Sequence, residues 1–159
     1  MDDSEHPMRY WLMKSEPDTF GITHLKSSPR RSATWDGVRN YQARNMLRDD
    51  FAKGDLAFFY HSSCAEPGLV GIVEVLCAGY PDPTAFMRTH IHHDPKSQRD
   101  APRWFTVDVK LKQEFKRLVS LQELRATSAL AEMQILRRGN RLSITPVTQT
   151  EWNHVLGML

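Results

Sequence analysis

Aromatic side chains stand beside polar side chains at the ends of three predicted strands. The three groups are Trp11 with Lys14 and Ser15, Trp35 with Asn40, and Tyr60 with His61, Ser62 and Ser63. A flipped or single-stranded base is held by such groups, because aromatic faces stack on the base while hydroxyl, amide and charged groups bond its edge. Stacking alone contributes about 1–3 kcal/mol per base. The competing interpretation, that these aromatic residues are buried core residues, fits the composition equally well.

Basic residues fall into two clusters along the chain. The clusters comprise Arg30, Arg31, Arg39, Arg44, Arg48 and Lys53 in the first, and Arg137, Arg138 and Arg141 in the second. Such clusters contact phosphates in nucleic-acid-binding proteins and make the binding salt-dependent. The alternative is an ordinary solvated face, which is the usual role of a run of charges.

Two further groups carry reactive side chains but predict no reaction. His90, His92, His93 and Asp94 could ligate zinc or nickel, yet the sequence gives no evidence that three or four of them converge, so we predict no metal site. Cys64 lies three residues from His61, but no other element of a nucleophilic motif surrounds it. A G-x-G-x-x-G motif and a phosphate-binding P-loop are both missing from the sequence. We therefore predict no cofactor.

Length and composition indicate one globular domain. The chain has 159 residues, of which 40% are apolar and 25% charged, which excludes fibrous and wholly disordered classes. Lys and Arg number 21 against 19 Asp and Glu, a net charge of +2. This balance excludes a histone-like coat of positive charge but leaves room for a local basic face. We predict a disordered tail over residues 1–8 and a single domain over residues 9–159.

The cysteine content, and the lack of a signal peptide or a membrane span in the sequence, predict the cellular compartment. Two cysteines without a C-x-x-C pair fit a reducing compartment. The N-terminal segment MDDSEHPMRYW is acidic and has no apolar core, unlike a signal peptide, and no apolar run approaches the ~18 residues of a membrane span. We expect a cytoplasmic protein with no membrane partner.

Short strands and short helices follow one another along the chain. Apolar runs and alternating patterns predict strands over residues 9–13, 56–60, 69–78, 104–112 and 141–147. Capping residues predict helices over residues 19–25, 41–47 (capped by Asn40), from Ser120, over 130–136, and from Thr148 or Thr150 to residue 156. Since long crossover helices do not separate the strands, the sequence favours a compact α+β domain with a curled, mostly antiparallel sheet.

Eight segments, which together cover most of the chain in order, resemble the EVE domain family. They are YWLMKSEPD (10–18), TWDGVRNYQARN (34–45), GDLAFFYHSS (54–63), PGLVGIVEV (67–75), YPDPTAF (80–86), DPKS (94–97), PRWFTVDV (102–109) and RLSITPVT (141–148). The resemblance implies a PUA-like fold, a curled and mostly antiparallel β-barrel decorated by short helices. It also implies a bacterial protein that reads modified bases, with modified cytosine in DNA as the usual proposal.

The resemblance implies a base pocket and names its residues. The family is distantly similar to YTH domains, whose pocket uses a Lys-Ser pair and a tryptophan that match Lys14, Ser15 and Trp35. We expect Trp35 to stack on the base, with Trp11 nearby. Hydrogen bonds to its edge would come from Lys14, Ser15 and Asn40, and the opposite wall from Tyr60, His61, Ser62 and Ser63. Contacts to phosphate or ribose would come from Arg39, Arg141 and Ser143.

One departure from the family pattern falls in a loop. Many relatives have Tyr-Tyr before the Asp-Pro-Lys-Ser segment, where this chain has His92 and His93. If that loop borders the pocket, the preferred ligand differs from that of the relatives.

Two other functions stay open at this point. Related PUA-like modules bind tRNA, rRNA or methylated adenine, and nothing in the sequence commits a group to the 2′-OH that distinguishes RNA from DNA. Small amidohydrolases of related fold use a lysine, a hydroxyl and a carboxylate, which Lys14, Ser15 and Glu16 supply. Consecutive strand residues point to opposite faces, so that role needs a bend before Pro17. A base-binding module of this size would work with a separate nuclease or restriction partner, and its oligomeric state is open.

Overall fold

The computed structural model describes residues 8–159, so the tail predicted over residues 1–8 lies almost wholly outside the described residues. The strands are β1 (Tyr10–Ser15), β2 (Ser32–Thr34), β3 (Leu56–His61), β4 (Gly68–Val75), β5 (Tyr80–Pro81), β6 (Phe105–Thr106), β7 (Asp108–Ser120) and β8 (Ile144–Val147). The helices are α1 (Pro17–Phe20), α2 (Ile22–Ser27), α3 (Tyr41–Asp49), α4 (Leu121–Ala126) and α5 (Gln149–Met158). Short 3₁₀ turns cover Pro29–Arg31, Pro83–Phe86, Ser128–Leu130 and Gln134–Leu136.

Six strands form one curled sheet in the order β2-β7-β4-β3-β1-β8, and β5 and β6 form a separate ribbon. Every neighbouring pair is antiparallel except β1 and β3, which run parallel from Tyr10 beside Leu56 to Ser15 beside His61. The register of β4 shifts at two places, between Leu69 and Gly71 against both of its neighbours and between Ile72 and Val73 against β7, and such irregularities increase the local twist. The curled, mostly antiparallel α+β architecture predicted from the sequence is confirmed.

Both faces of the sheet are covered by apolar side chains. The first core contains Trp11, Met13 and Phe59, with α2 and α3 packed on them. The second core contains Leu12, Phe58 and Tyr60, with α4 and α5 packed on them. Because successive side chains of a strand point to opposite faces, neighbouring residues of β1 and β3 enter different cores.

Some predicted elements differ from the observed ones. The helix predicted over residues 130–136 is wrong: one 3₁₀ turn ends at Leu130, another covers Gln134–Leu136, and Met133 between them has a non-helical ψ of 134°. Leu130, Met133 and Ile135 all bury in the second core, and their uneven spacing does not match one face of an α-helix. The helix predicted over residues 19–25 is split by the extended backbone of Gly21.

Residue Gly71 shows why the sheet can curl at β4. A Cβ added there would lie 2.5 Å from the carbonyl oxygen of Gln113 on β7 and 2.8 Å from the side chain of Ile22. Only glycine permits this close approach of two backbones.

None of the helices found within residues 8–159 is both long enough and apolar enough to cross a bilayer.

The cap of α3 generates a first prediction. The side-chain oxygen of Asn40 accepts a hydrogen bond from the amide of Ala43 at 3.0 Å. Replacement of Asn40 by Ala leaves that amide unpaired, so we expect the free energy of unfolding to fall by about 1 kcal/mol in urea denaturation. Asn40→Ser keeps a capping oxygen, so its free energy of unfolding should fall much less. Equal losses in the two variants would show that the cap is not the cause.

Candidate functional site

A cleft of about 360 Å³ opens where β1 ends and where the chain leaves β2. Its volume lies within the range of about 300–1,000 Å³ that is usual for small-molecule sites. It is lined by residues 14–16, 19–20, 34–39, 91–92 and 143. The walls therefore come from five segments that the fold brings together from distant parts of the chain.

The end of β1 positions Lys14 and Ser15 in this cleft. The amide of Lys14 donates to the carbonyl of Ser143 at 2.8 Å, and the carbonyl of Ser15 accepts from the amide of Ser62 at 3.0 Å. Pro17 begins α1 two residues later, so the strand cannot continue. Both Lys14 and Ser15 line the cleft, although a regular strand would turn them to opposite faces.

Lys14 supplies a positive charge that other side chains do not neutralise. No carboxylate among residues 8–159 forms an ion pair with its ammonium group. Burial lowers the pKa of Lys14 below the ordinary value for a lysine, because the charged form loses hydration. The cleft thus contains a partly desolvated cation, together with the acidic residues Glu16 and Asp36.

Trp35 is the aromatic side chain at the base of the cleft. Its amide donates to the carbonyl of Val107 at 2.9 Å, and its carbonyl accepts from the hydroxyl of Thr106. The indole packs edge-to-face with Phe20 and Phe59, at ring-centroid distances of 5.7 and 5.1 Å. With 5% of its surface exposed, Trp35 belongs to the first core and also lines the cleft. Its stacking on a base stays a prediction.

Asp82 holds the loop that follows Trp35. Its side chain is fully buried, and its Oδ2 accepts from the amide of Gly37 at 2.9 Å and from the Arg39 guanidinium at 3.0 Å. Its Oδ1 accepts from the amide and the hydroxyl of Thr84 at 2.9 and 2.7 Å. One carboxylate therefore ties residues 37–39 to the segment that begins at Asp82.

The same bonds decide the ionisation of Asp82. Burial alone would raise the pKa of this carboxyl, but the bonds from Gly37, Thr84 and Arg39 favour its charged form. Their combined effect lowers the pKa of Asp82 below the usual value for an aspartate.

Arg39 has a structural role in place of the predicted contact to phosphate or ribose. Besides Asp82, its guanidinium donates to the carbonyl of His92 at 2.6 Å and lies 5.4 Å from the ring centroid of Trp104. Only 23% of its side chain is exposed. These contacts occupy the donors that a phosphate would need, so the structure corrects the sequence prediction for Arg39.

His92 closes the cleft opposite β1. Gly37 has a φ of +83°, and a Cβ there would lie 2.5 Å from Nε2 of His92. The imidazole thus packs directly on the glycine backbone. The loop that contains His92 borders the cleft, which is the condition under which we expect the preferred ligand to differ from that of the relatives. His93 lies apart from it, against a second pocket beside Arg88 and Arg99.

The structure brings two of the histidines considered as metal ligands, His90 and His92, together with Asp36. Donor atoms of Asp36, His90 and His92 all lie within 4.8 Å of one another. Asp94 does not join this group, because its carboxylate accepts from the indole of Trp104 at 2.6 Å. The convergence depends on Asp36, which lies more than fifty residues away in the sequence and which the histidine motif alone did not indicate.

Trp11 and Tyr60 are core residues and do not line the cleft. The indole of Trp11 stacks on Phe51 at 4.3 Å and donates to the buried carboxylate of Asp55 at 3.0 Å. Tyr60 is buried in the second core, on the opposite face of the sheet. The sequence prediction placed both in the pocket, and strand alternation explains why Tyr60 cannot reach it.

The predicted opposite wall is also displaced from the cleft. His61 uses its Nε2 to accept from the amide of Ile22 at 3.1 Å, and burial lowers its pKa. Neither Ser62 nor Ser63 lines the cleft, and the amide oxygen of Asn40 is committed to its helix cap.

Of the predicted phosphate or ribose contacts, Arg141 lies outside the cleft with an exposed side chain, whereas Ser143 lines it. Sequence reasoning missed Phe20, Gly37, Val38 and Ile91 as lining residues. The WDGVR part of the segment 34–45 was the available signal for Gly37 and Val38.

Comparisons with known proteins find similar chains in animals and bacteria. The family model for the EVE domain matches residues 9–158. Thymocyte nuclear protein 1 of Homo sapiens is 42% identical over 165 residues, which cover 94% of this chain and 73% of that protein. The crystal structure of a Pseudomonas syringae protein matches with a TM-score of 0.88 and 45% identity, covering 94% of this chain and 98% of the other.

A further match is a structure with a ligand. The crystal structure of human THYN1 protein in complex with 5-methylcytosine containing DNA matches with a TM-score of 0.89 and 42% identity, covering 94% of this chain and 96% of that chain. The presence of animal and bacterial proteins among the relatives leaves the bacterial origin of this chain a prediction.

The role of Asp82 yields a prediction on stability and pH. Asp82→Asn removes the charge that faces Arg39, so the free energy of unfolding should fall by about 3 kcal/mol at pH 7, since breaking one side of a buried ion pair costs about 3–5 kcal/mol. The folded-state pKa of Asp82 is lowered, so the stability it contributes is present above the unfolded value of about 3.9 and is lost as the pH falls through the folded value.

Urea denaturation at pH 7, 5, 4 and 3 checks this. The difference between the wild type and Asp82→Asn should narrow below about pH 4. Asp49→Asn, which removes the carboxylate of the exposed pair with Arg48, serves as the control and should change stability little. A difference that stays constant from pH 7 to pH 3 would contradict the role of the Asp82 charge.

Proposed function

Because this chain belongs to the EVE domain family, we propose that it is a non-catalytic module that binds DNA carrying a modified cytosine and holds that base in the cleft beside Trp35. The observation that carries the proposal is the match, at 42% identity and TM-score 0.89, to human THYN1 protein in complex with 5-methylcytosine containing DNA. The match covers 94% of this chain.

The residues of the cleft support this ligand. Trp35 is held rigidly by its neighbours, so a base that stacks on it need not order the ring. Lys14 and Ser15 line the same cleft as Trp35, and their ammonium and hydroxyl groups can donate to the carbonyl oxygen and ring nitrogen on the edge of a cytosine. A base in this position must leave the helical stack, as in other proteins that act on a single base.

Net charge supports recognition through the base. A formal charge of +2 leaves little general attraction for the phosphate chain, so most selectivity would come from the pocket. Arg30, Arg31 and Arg141 are exposed and are the residues that we propose for phosphate contacts. We further propose that the protein acts in the cytoplasm with a separate nuclease or restriction partner.

One observation favours a second candidate function, hydrolysis of a modified nucleoside. Lys14, Ser15 and Glu16 all line the cleft, and burial lowers the pKa of Lys14. A lysine with a lowered pKa can act as a base, and a hydroxyl with a carboxylate completes the set that related amidohydrolases use. Glu16 is exposed, which weakens this candidate.

Binding to defined duplexes tests the proposed function. Fluorescence anisotropy would compare oligonucleotides that carry cytosine, 5-methylcytosine, 5-hydroxymethylcytosine or methylated adenine, each as DNA and as RNA. We expect tightest binding to DNA with a modified cytosine. Trp35→Ala should weaken it roughly 5- to 150-fold, the equivalent of about 1–3 kcal/mol of stacking. Trp35→Phe keeps an aromatic ring in the core, so it should retain part of the affinity while the core stays packed.

Controls separate the pocket from general charge effects. Lys14→Met should weaken binding to the modified duplex, whereas Lys116→Met, which removes an exposed charge on β7, should leave it within twofold. Equal, salt-governed binding to every duplex, with no effect of Trp35→Phe, would contradict the proposal. If the protein preferred RNA and this binding still depended on Trp35, the proposed base pocket would stand, but DNA would be the wrong polymer.

Product analysis tests the hydrolase candidate. Wild-type protein incubated with free 5-methylcytidine and 5-hydroxymethylcytidine should return both nucleosides unchanged by mass spectrometry, while binding to the modified duplex persists. Turnover that disappears in Lys14→Met would replace the binding function with the catalytic one.

A further inference from the structure

We propose that Asp36, His90 and His92 bind one divalent transition-metal ion, with Zn²⁺ as the best fit, at the rim of the cleft. The three residues belong to two loops, and their donor atoms lie within 4.8 Å of one another. All three side chains are half-buried, so they are partly shielded from water but open to an ion. An ion at these three residues would bind whether or not the cleft holds a base.

The distances suit a tetrahedral ion after a small adjustment. Nε2 of His90 lies 3.7 Å from Oδ2 of Asp36. Zinc binds imidazole nitrogen and carboxylate oxygen at about 2.0–2.2 Å, so neighbouring donors around it lie about 3.3–3.6 Å apart. The rings of His90 and His92 are 5.1 Å apart and inclined by 37°. If Nε2 of His90 and Oδ2 of Asp36 approach each other by a few tenths of an ångström, their separation matches that of two donors around one zinc ion.

The donor set selects the class of metal. Two imidazoles with one carboxylate suit zinc, nickel and copper, whereas calcium and magnesium prefer sites made of oxygen alone. Three protein ligands leave one position on a tetrahedral zinc ion for water or an incoming donor, as in the open sites of zinc proteins. Asp36 and His92 line the cleft, so the ion would lie where a ligand enters.

Part of the framework around this site is already fixed. Arg39 holds the carbonyl of His92 at 2.6 Å, and Asp82 holds the amide of Gly37, the residue after Asp36, at 2.9 Å. Both loops that supply ligands are therefore anchored to one another without metal. An anchored framework loses less conformational entropy when the ion binds.

Metal binding changes the tautomer of His90. In the structure, Nδ1 of His90 accepts from the amide of His92 at 3.0 Å, so a neutral ring carries its proton on Nε2, which faces Asp36. An ion held by Nε2 takes that position, and the proton moves to Nδ1, where the bond from the amide is lost. This exchange gives the proposal a signature that binding to surface histidines would not produce.

Titration of the metal-free protein with zinc chloride tests the site. Calorimetry should give one ion per chain, and the dissociation constant should rise at least tenfold in His90→Ala, His92→Ala and Asp36→Asn. His93→Ala is the matched control, because His93 adjoins the site in sequence but faces another pocket. It should change the constant less than twofold. Circular dichroism and the thermal midpoint establish that each variant is folded.

Two spectroscopic readouts do not depend on loss of binding. Nitrogen NMR of the imidazoles should report a change of tautomer at His90 on addition of zinc, and none at His93. Cobalt(II) in place of zinc should give the strong visible absorption of a tetrahedral ion. Zinc binding that is unchanged in the His90→Ala/His92→Ala double variant, or an unchanged His90 tautomer in the saturated protein, would overturn the proposal.

Discussion

The buried carboxylate of Asp82 is the interaction on which the rest of the cleft depends. It has no exposed surface, and its two oxygens accept four hydrogen bonds from three residues. A buried charge is tolerated only when it is paired and fully hydrogen-bonded, so the loops that supply these donors must stay in place. The position of Gly37, and through Arg39 the position of His92, follow from this requirement.

The curled sheet provides the frame in which that carboxylate acts. Strand alternation divides the residues of β1 and β3 between two cores. The cleft forms on the side of the first core, where Trp35 packs against Phe20 and Phe59. The same tryptophan therefore belongs to the hydrophobic core and lines the cleft, which couples the stability of the domain to the shape of the cleft.

Hydrophobic patterns in the sequence predict most of the strands, and the caps at Asn40, Ser120 and Thr148 are observed as expected. The cleft is less predictable. Lys14, Ser15 and Trp35 could be named because they adjoin strand ends in segments that resemble a family. Trp11 and Tyr60 could not be excluded, because the sequence shows that a residue is aromatic but not which face of a curled sheet it occupies.

The contacts between loops were beyond sequence reasoning for another reason. The sequence suggests that Arg39 is a free cation, whereas in the structure its guanidinium is bonded to Asp82 and to the carbonyl of His92. In the same way, Asp36 joins the two histidines only after the sheet and its loops have formed. These pairings span more than forty residues, and no local pattern encodes them.

The position of β8 beside β1 has a consequence for synthesis on the ribosome. Met13 pairs with Ile144, and the amide of Lys14 is bonded to the carbonyl of Ser143. Ser143, which lines the cleft, and the adjacent strand β8 are therefore translated long after β1. Contacts so far apart in the chain also slow folding. A nascent or prematurely terminated product that lacks residues 143–147 has neither the partner strand of β1 on this side nor the Ser143 carbonyl that holds the amide of Lys14 in the cleft.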